Sequence, residues 1–263
     1  MLSPPPGPRC PDAPRVDKTR ETGQRLRGPS RFQSDPNRTA AVAPVEFFPA
    51  LSAVPGLVHG FLTRVPGVMV DTDRADAVSR LAPHHAEGLA SLGIPADALH
   101  TAEQVHGSGI TVCGGPTDRG GICTAGMDGL VTGTAGVWLG IYVADCAAVW
   151  IVDPLRRVCA VVHSGKKGTE LGIVPATIGL MKETFGSDPD GLVVQVSPCI
   201  RPPAYEVDFA EDIRRQCAAS GVPSERIHDE GVCTARDPGR YYSYRTERGR
   251  TGRMLAVVGF RSA

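Results

Sequence analysis

The chain of 263 residues has no surplus charge of either sign: 28 lysines and arginines balance 28 aspartates and glutamates. That balance removes the global basic field by which a protein holds nucleic acid or an anionic membrane surface. Long apolar runs are missing too; none reaches the roughly 18 residues a membrane helix needs. The opening Met1-Leu2-Ser3-Pro4-Pro5-Pro6 lacks the apolar centre of a secretory leader. These absences predict a cytoplasmic protein with neither membrane nor nucleic acid as partner. Cys-x-x-Cys pairs are absent although there are eight cysteines, Cys10, Cys113, Cys123, Cys146, Cys159, Cys199, Cys217 and Cys233. A chain this long can bury a core without disulfide staples. Most of these cysteines therefore read as buried thiols acting as small hydrophobes, as in Val158-Cys159-Ala160-Val161. Cys146 is the exception, because Asp145 precedes it in an expected turn.

Residues 1–44 are rich in proline and arginine and follow neither a helical nor a strand period. Such a stretch buries too little surface to offset its chain entropy, so it reads as a disordered extension. Its arginines are scattered rather than clustered, which argues against a basic binding arm. From Val45 the texture changes, and 45–263 reads as one catalytic domain. Gly56 to Thr63 is an expected strand, and Ala75 to Leu92 an expected helix interrupted at Pro83. Leu99 to Val105 and Ile110 to Cys113 read as further strands. Val137–Val143, Ala147–Asp153 and Arg157–His163 are three apolar runs joined by short turns. Connections this short predict antiparallel neighbours, because parallel pairing needs a crossover of a dozen residues. An up-down-up meander would bring Cys146 and His163 to one sheet edge, two strands apart at roughly 4.8 Å per strand.

Three segments carry the chemistry: Glu103-Gln104-Val105-His106-Gly107, Ala144-Asp145-Cys146 and Val162-His163-Ser164-Gly165. Each lies where an expected strand ends. Two imidazoles and a thiolate form a recognised catalytic zinc set, with three protein ligands and a fourth position open. Topology pairs Cys146 with His163; it does not by itself bring in His106. After His163, Ser164-Gly165-Lys166-Lys167-Gly168-Thr169 precedes a helix expected from Glu170 to Phe185. Glycines, lysines and free helix N–H groups would suit an anion. The spacing is not that of a Walker A loop. His59, His100 and His228 read as packed or surface histidines, and His84-His85 as partly solvated. Asp145 is expected to support the metal ligands, with substrate binding or fixing of its turn as the alternatives. Arg245 is open between a salt bridge and a phosphate contact, and Tyr241, Tyr242 and Tyr244 between core and binding wall.

The ordered set of motifs resembles the YfiH/PgeF-like family, formerly labelled multicopper polyphenol oxidases or laccases. It comprises Thr63-Arg64, the three segments above, His163-x-Gly-x-x-Gly168, Pro198-Cys199-Ile200 with Tyr205-Glu206-Val207, and Cys233-Thr234 followed by Tyr242-Ser243-Tyr244-Arg245 and Gly252-Arg253. The resemblance runs from about Gly60 to Phe260. It implies an α+β fold of mixed, largely antiparallel sheets packed with helices, layered α/β/β/α. It implies one zinc ion on His106, Cys146 and His163, which would also be the catalytic residues. The implied activity is zinc-dependent phosphorolysis of adenosine, inosine and methylthioadenosine, with deamination of adenosine beside it. The partners are then a nucleoside and phosphate, in a monomer or small homo-oligomer, with Arg64, Lys166, Lys167 and Arg245 as anion holders. Lys166-Lys167 departs from the family, which usually has Trp-Arg there; a lysine neither stacks nor makes a bidentate fork. Ala147-Ala148 stands where the family has Leu-Pro. The residues alone also allow a metal-free hydrolase using Cys146 as nucleophile and His163 as base. A copper oxidase of phenols would need more histidines than these seven. A descendant keeping zinc for structure alone is a further reading.

Overall fold

The computed structural model describes residues 42–114 and 121–262; residues 1–41 of the expected extension, Cys10 among them, lie outside these. In chain order the elements are β1 (Val45–Glu46), α1 (Pro49–Ser52), β2 (Leu57–Leu62), α2 (Arg74–Ser91), β3 (Leu99–Ala102), β4 (Ile110–Val112), β5 (Cys123–Thr124) and β6 (Gly129–Thr132). There follow β7 (Trp138–Val143), β8 (Ala147–Asp153), β9 (Val158–Ser164), α3 (Lys166–Glu170), α4 (Ile173–Phe185), β10 (Val193–Val196), α5 (Phe209–Ala219), β11 (Ile227–Asp229) and β12 (Met254–Phe260). They build two mixed six-stranded sheets, ordered β1-β2-β12-β7-β3-β5 and β11-β10-β8-β9-β6-β4.

Side-chain alternation sets the layers. In β8, Ala148, Trp150 and Val152 join the core between the sheets, while Ala147, Val149 and Ile151 join a second core under α4 and α5. A strand with one face on each core must be apolar throughout, and every residue of β8 is buried. The first sheet behaves likewise: Phe61 packs edge-on to Trp150 at 6.1 Å. On the opposite face, Gly88 of α2 lies against Leu62, leaving no room there for a Cβ. Burying each such aliphatic or aromatic side chain contributes about 1.5–3 kcal/mol. Trp150 also donates its Nε1–H to the carbonyl of Val257 at 3.1 Å, so the sheets share a polar bond inside an apolar layer.

Three sequence expectations need correction. Pro83 does not interrupt α2, which is continuous over 18 residues. Pro83 and Ser79, whose carbonyl loses its partner, are both exposed, so that oxygen is open to solvent. The second concerns the three apolar runs: β8 and β9 form an antiparallel hairpin, but β7 lies in the other sheet. Ala144–Cys146 is a crossing between sheets, not a meander turn. The expected helix from Glu170 is also split, because Gly172 takes a left-handed conformation (φ 71°) between α3 and α4. No helix among the described residues is long and apolar enough to cross a membrane.

Two buried histidines give the fold an acid limit. His59 accepts the backbone N–H of Phe48 at 3.0 Å. His85 packs on the Tyr142 ring at 5.8 Å. Burial pushes each of them down to about 4. An unfolded histidine protonates near 6.5, so as pH falls the unfolded chain takes these protons first. Their contribution is fully present above about pH 6.5 and drains away down to about pH 4, by about 3 kcal/mol per histidine. Urea midpoints at pH 7 and pH 4.5 should differ accordingly, and His59→Gln should narrow the gap. Equal midpoints at the two pH values would contradict this.

Candidate active site

The β8–β9 hairpin sets Ala147 opposite Ser164 and Ala148 opposite His163. Cys146, one residue before β8, therefore comes beside His163 near the end of β9. The expectation of their pairing holds, through the hairpin rather than through a meander. Close packing here excludes any side chain on Gly165, since a Cβ would overlap the sulfur of Cys146. His106 arrives from the loop after β3. The ring nitrogens of His106 and His163 and the sulfur of Cys146 all lie within 4.8 Å of one another.

A buried carboxylate explains how the third donor gets there. Asp128, fully buried just before β6, accepts the backbone N–H groups of Val105, His106 and Gly107 at 3.1, 3.0 and 2.7 Å. The same carboxylate takes the Nδ1–H of His163 at 2.8 Å. One side chain thus shapes the His106 loop and orients His163, leaving Nε2 of His163 for the cavity. Sequence reasoning did not single out Asp128. The available signal was an aspartate entering the apolar run Gly129–Thr132, since a buried carboxylate must find donors.

Backbone strain gathers at the same place. Gln104, His106 and Asp145 have φ of 64°, 58° and 74°. Left-handed non-glycine residues are strained by about 1–2 kcal/mol each. Side chains hold them: the Gln104 amide donates to the Tyr142 carbonyl at 2.5 Å and accepts its N–H at 3.0 Å, as a strand partner would. The expected support of the metal ligands by Asp145 is not seen. Its carboxylate accepts from the Thr234 hydroxyl (2.7 Å) and the Arg245 N–H (2.6 Å), joining three loops.

Burial opposes ionisation of the Cys146 thiol, yet hydrogen bonds with His106 and His163 bring it well below the ordinary thiol range. Burial likewise opposes charge on His163, and its bonds to Asp128 and Cys146 overcome that to hold it above its ordinary value. A thiolate and two imidazoles suit zinc, with one position left for substrate or water. Among the described residues this is the single group of three or more possible ligands, enough for one ion.

The donors open into a cavity of about 640 Å³, the size of a small-molecule site. Lys166 and Arg245 line it; Arg64 and Lys167 do not. Lys167 is exposed elsewhere on α3. Arg64 is occupied: it pairs with Glu247 at 2.6 Å, donates to the Tyr241 carbonyl and covers the Tyr242 ring at 4.3 Å. Glu247 also accepts from the Ser243 N–H and the Thr251 hydroxyl, at 3.0 and 2.6 Å. Arg64 is therefore a clamp on the loop 243–253, which carries Tyr244, Arg245, Arg248 and Arg253 to the cavity. Arg64→Ala should raise the substrate KM about tenfold, because a part-buried charged bond is worth roughly 1.5–3 kcal/mol. Its metal content should not change; loss of metal in this variant would count against the clamp. Arg245 makes the salt bridge expected of it, to Glu206 at 3.0 Å, and is part of the cavity wall. Tyr241 and Tyr242 are core, whereas Tyr244 is exposed on the wall.

A family model described as "Multi-copper polyphenol oxidoreductase laccase" matches residues 59–211 and 207–261. The chain is 32% identical over 257 residues to the purine nucleoside phosphorylase YlmD of Geobacillus stearothermophilus, covering 81% of this chain and 92% of that one. It is 33% identical over 232 residues to a purine nucleoside phosphorylase of Deinococcus radiodurans, covering 76% and 88%. The crystal structure of YlmD from Geobacillus stearothermophilus superposes with a TM-score of 0.73 at 26% identity, over 82% of this chain and 94% of that one. Bacillus licheniformis YfiH shares the fold, with a TM-score of 0.68 at 22% identity over 78% and 93%. With its motifs in order, its two mixed sheets and its one His-Cys-His cluster, the chain belongs to the YfiH-like family.

Proposed function

We propose that the chain is a zinc-dependent purine nucleoside phosphorylase acting on adenosine, inosine and methylthioadenosine, and that it also deaminates adenosine. The observation that carries the reading is a cavity with the His106-Cys146-His163 set on one side and basic side chains around it. Its relatives bear the phosphorylase name. In phosphorolysis a phosphate oxygen forms a bond to the anomeric carbon of ribose, and the bond from that carbon to the purine breaks. The electron pair leaves with the purine, which takes a proton from solvent. The protein must therefore hold a phosphate dianion against a sugar that turns cationic. Lys166 and Arg245 supply positive charge from the cavity wall. Tyr205, Phe209 and Tyr244 offer flat apolar faces for the purine. Bound to His106, Cys146 and His163, a zinc ion would supply a Lewis acid with one open position. Asp128 keeps His163 in the tautomer that ligation needs. Residues 45–263 act as the catalytic unit, in the cytoplasm.

The proximity of Cys146 and His163 favours one other reading, a hydrolase with Cys146 as nucleophile. It leaves His106 without a task. Chromatography of purine bases released from inosine, adenosine and methylthioadenosine, with and without phosphate, tests the proposal. Base and ribose 1-phosphate should form only with phosphate present. Equal release without phosphate, or none from any of the three, would overturn it.

A further inference from the structure

Four arginines line this cavity, Arg74, Arg245, Arg248 and Arg253, and of these Arg245 pairs with a carboxylate, Glu206. Outside the lining, Arg64 pairs with Glu247 and Arg250 with Asp71. Arg74 and Arg253 differ. Arg74 donates to the Glu103 carbonyl at 3.2 Å, and Arg253 to the carbonyls of Thr251 and Gly252, both at 2.9 Å. Carbonyl oxygens orient a guanidinium without neutralising it. Neither arginine has a carboxylate partner among the described residues. Both line the cavity, one from the first residue of α2 and the other from the loop entering β12. Burial, and then the charge of Arg74, hold Arg253 below its ordinary range, so the two cations feel each other. Asp145 and the Cys146 thiolate act on Arg253 in the opposite sense but more weakly than Arg74, and an anion bound between the two guanidiniums would be stabilised by both.

A neutral donor joins them. Tyr142 lines the same cavity and lies within the electrostatic reach of Arg74. Its backbone is held at both N–H and carbonyl by Gln104. Two guanidiniums and a phenol lining one cavity make a donor set that matches tetrahedral oxyanions, because each guanidinium presents a planar fork.

We propose that Arg74, Arg253 and the Tyr142 hydroxyl form the oxyanion subsite of this cavity, and that its ligand is the phosphate dianion. The identity of the ligand rests on the phosphorylase reading above; the subsite itself rests on the geometry. Arg74 is exposed, so Arg74→Gln should fold normally, and Arg253→Lys keeps a charge while losing the fork. The test is initial-rate kinetics on metal-replete protein, with inosine and phosphate varied independently. Arg74→Gln should raise the KM for phosphate about tenfold or more and leave that for inosine within about twofold, as loss of a charge-assisted bond implies. Arg253→Lys should show a smaller change of the same kind. An unchanged KM for phosphate in Arg74→Gln would overturn the subsite. Calorimetric titration with inorganic phosphate alone separates the subsite from the reaction. Phosphate binding that weakens in Arg74→Gln would uphold the subsite even if no nucleoside were cleaved. Binding indifferent to both substitutions, or absent from the unsubstituted protein, would overturn it whatever the nucleoside assay gave.

Discussion

Asp128→Asn is expected to weaken metal binding about 100-fold, at the upper end of what partners of metal-bound histidines contribute. The carboxylate takes four hydrogen bonds, three from the backbone of the His106 loop and one from His163. Asparagine keeps the shape, but it turns an N–H₂ group toward donors that need an acceptor. At least one buried N–H then loses its partner, at about 1–3 kcal/mol. The charge that favours the Nδ1–H tautomer of His163 is lost as well. Metal affinity by competition with a chromophoric chelator, alongside urea denaturation, measures both effects. Wild-type affinity in Asp128→Asn would mean that the His106 loop holds its shape by other means.

Cys146→Ala should lose metal and activity together, with kcat/KM falling by about 1,000-fold if the ion is worth roughly 4 kcal/mol to the transition state. Alanine leaves two imidazoles, too few for a three-ligand site. The substitution alone does not separate a metal centre from a cysteine nucleophile, because both depend on the sulfur. Chelation does. If the thiolate is a ligand, stripping metal from the unsubstituted protein should mimic Cys146→Ala, and zinc should restore the rate. If it is a nucleophile, the stripped protein should keep its rate and be alkylated at Cys146 with or without zinc. A fully active, metal-free Cys146→Ala would refute the first account.

What could be read from the chain, and what could not, follows from the range of the forces involved. The apolar run of β8 and the turn at Asp153-Pro154 are local, so the β8–β9 hairpin was legible, and with it the pairing of Cys146 and His163. The assignment of β7 to the other sheet was not. Its run looks like those of β8 and β9, and only packing decides which sheet a fully buried strand joins. Pro83 was misjudged because a local rule met an exposed helix face, where the freed carbonyl is open to solvent. Arg64 shows the same limit for charge. A motif arginine suggests an anion, but Glu247 lies 183 residues away in sequence and claims it first. Arg253 was read only as part of a motif and Arg74 not at all; the structure places both on the cavity wall without a carboxylate partner. Asp128 was hidden for a similar reason, since its donors come from a loop 21 to 23 residues earlier and from a strand 35 residues later.

The most direct test is metal content by mass spectrometry, wild type beside His106→Asn. His106 has φ 58°, and asparagine tolerates that conformation better than alanine, so the loop should keep its path. The account predicts close to one zinc per chain in the wild type and a clear loss in the variant. Equal zinc in both would remove His106 from the site, and no zinc in either would mean that the three donors do not form a metal centre.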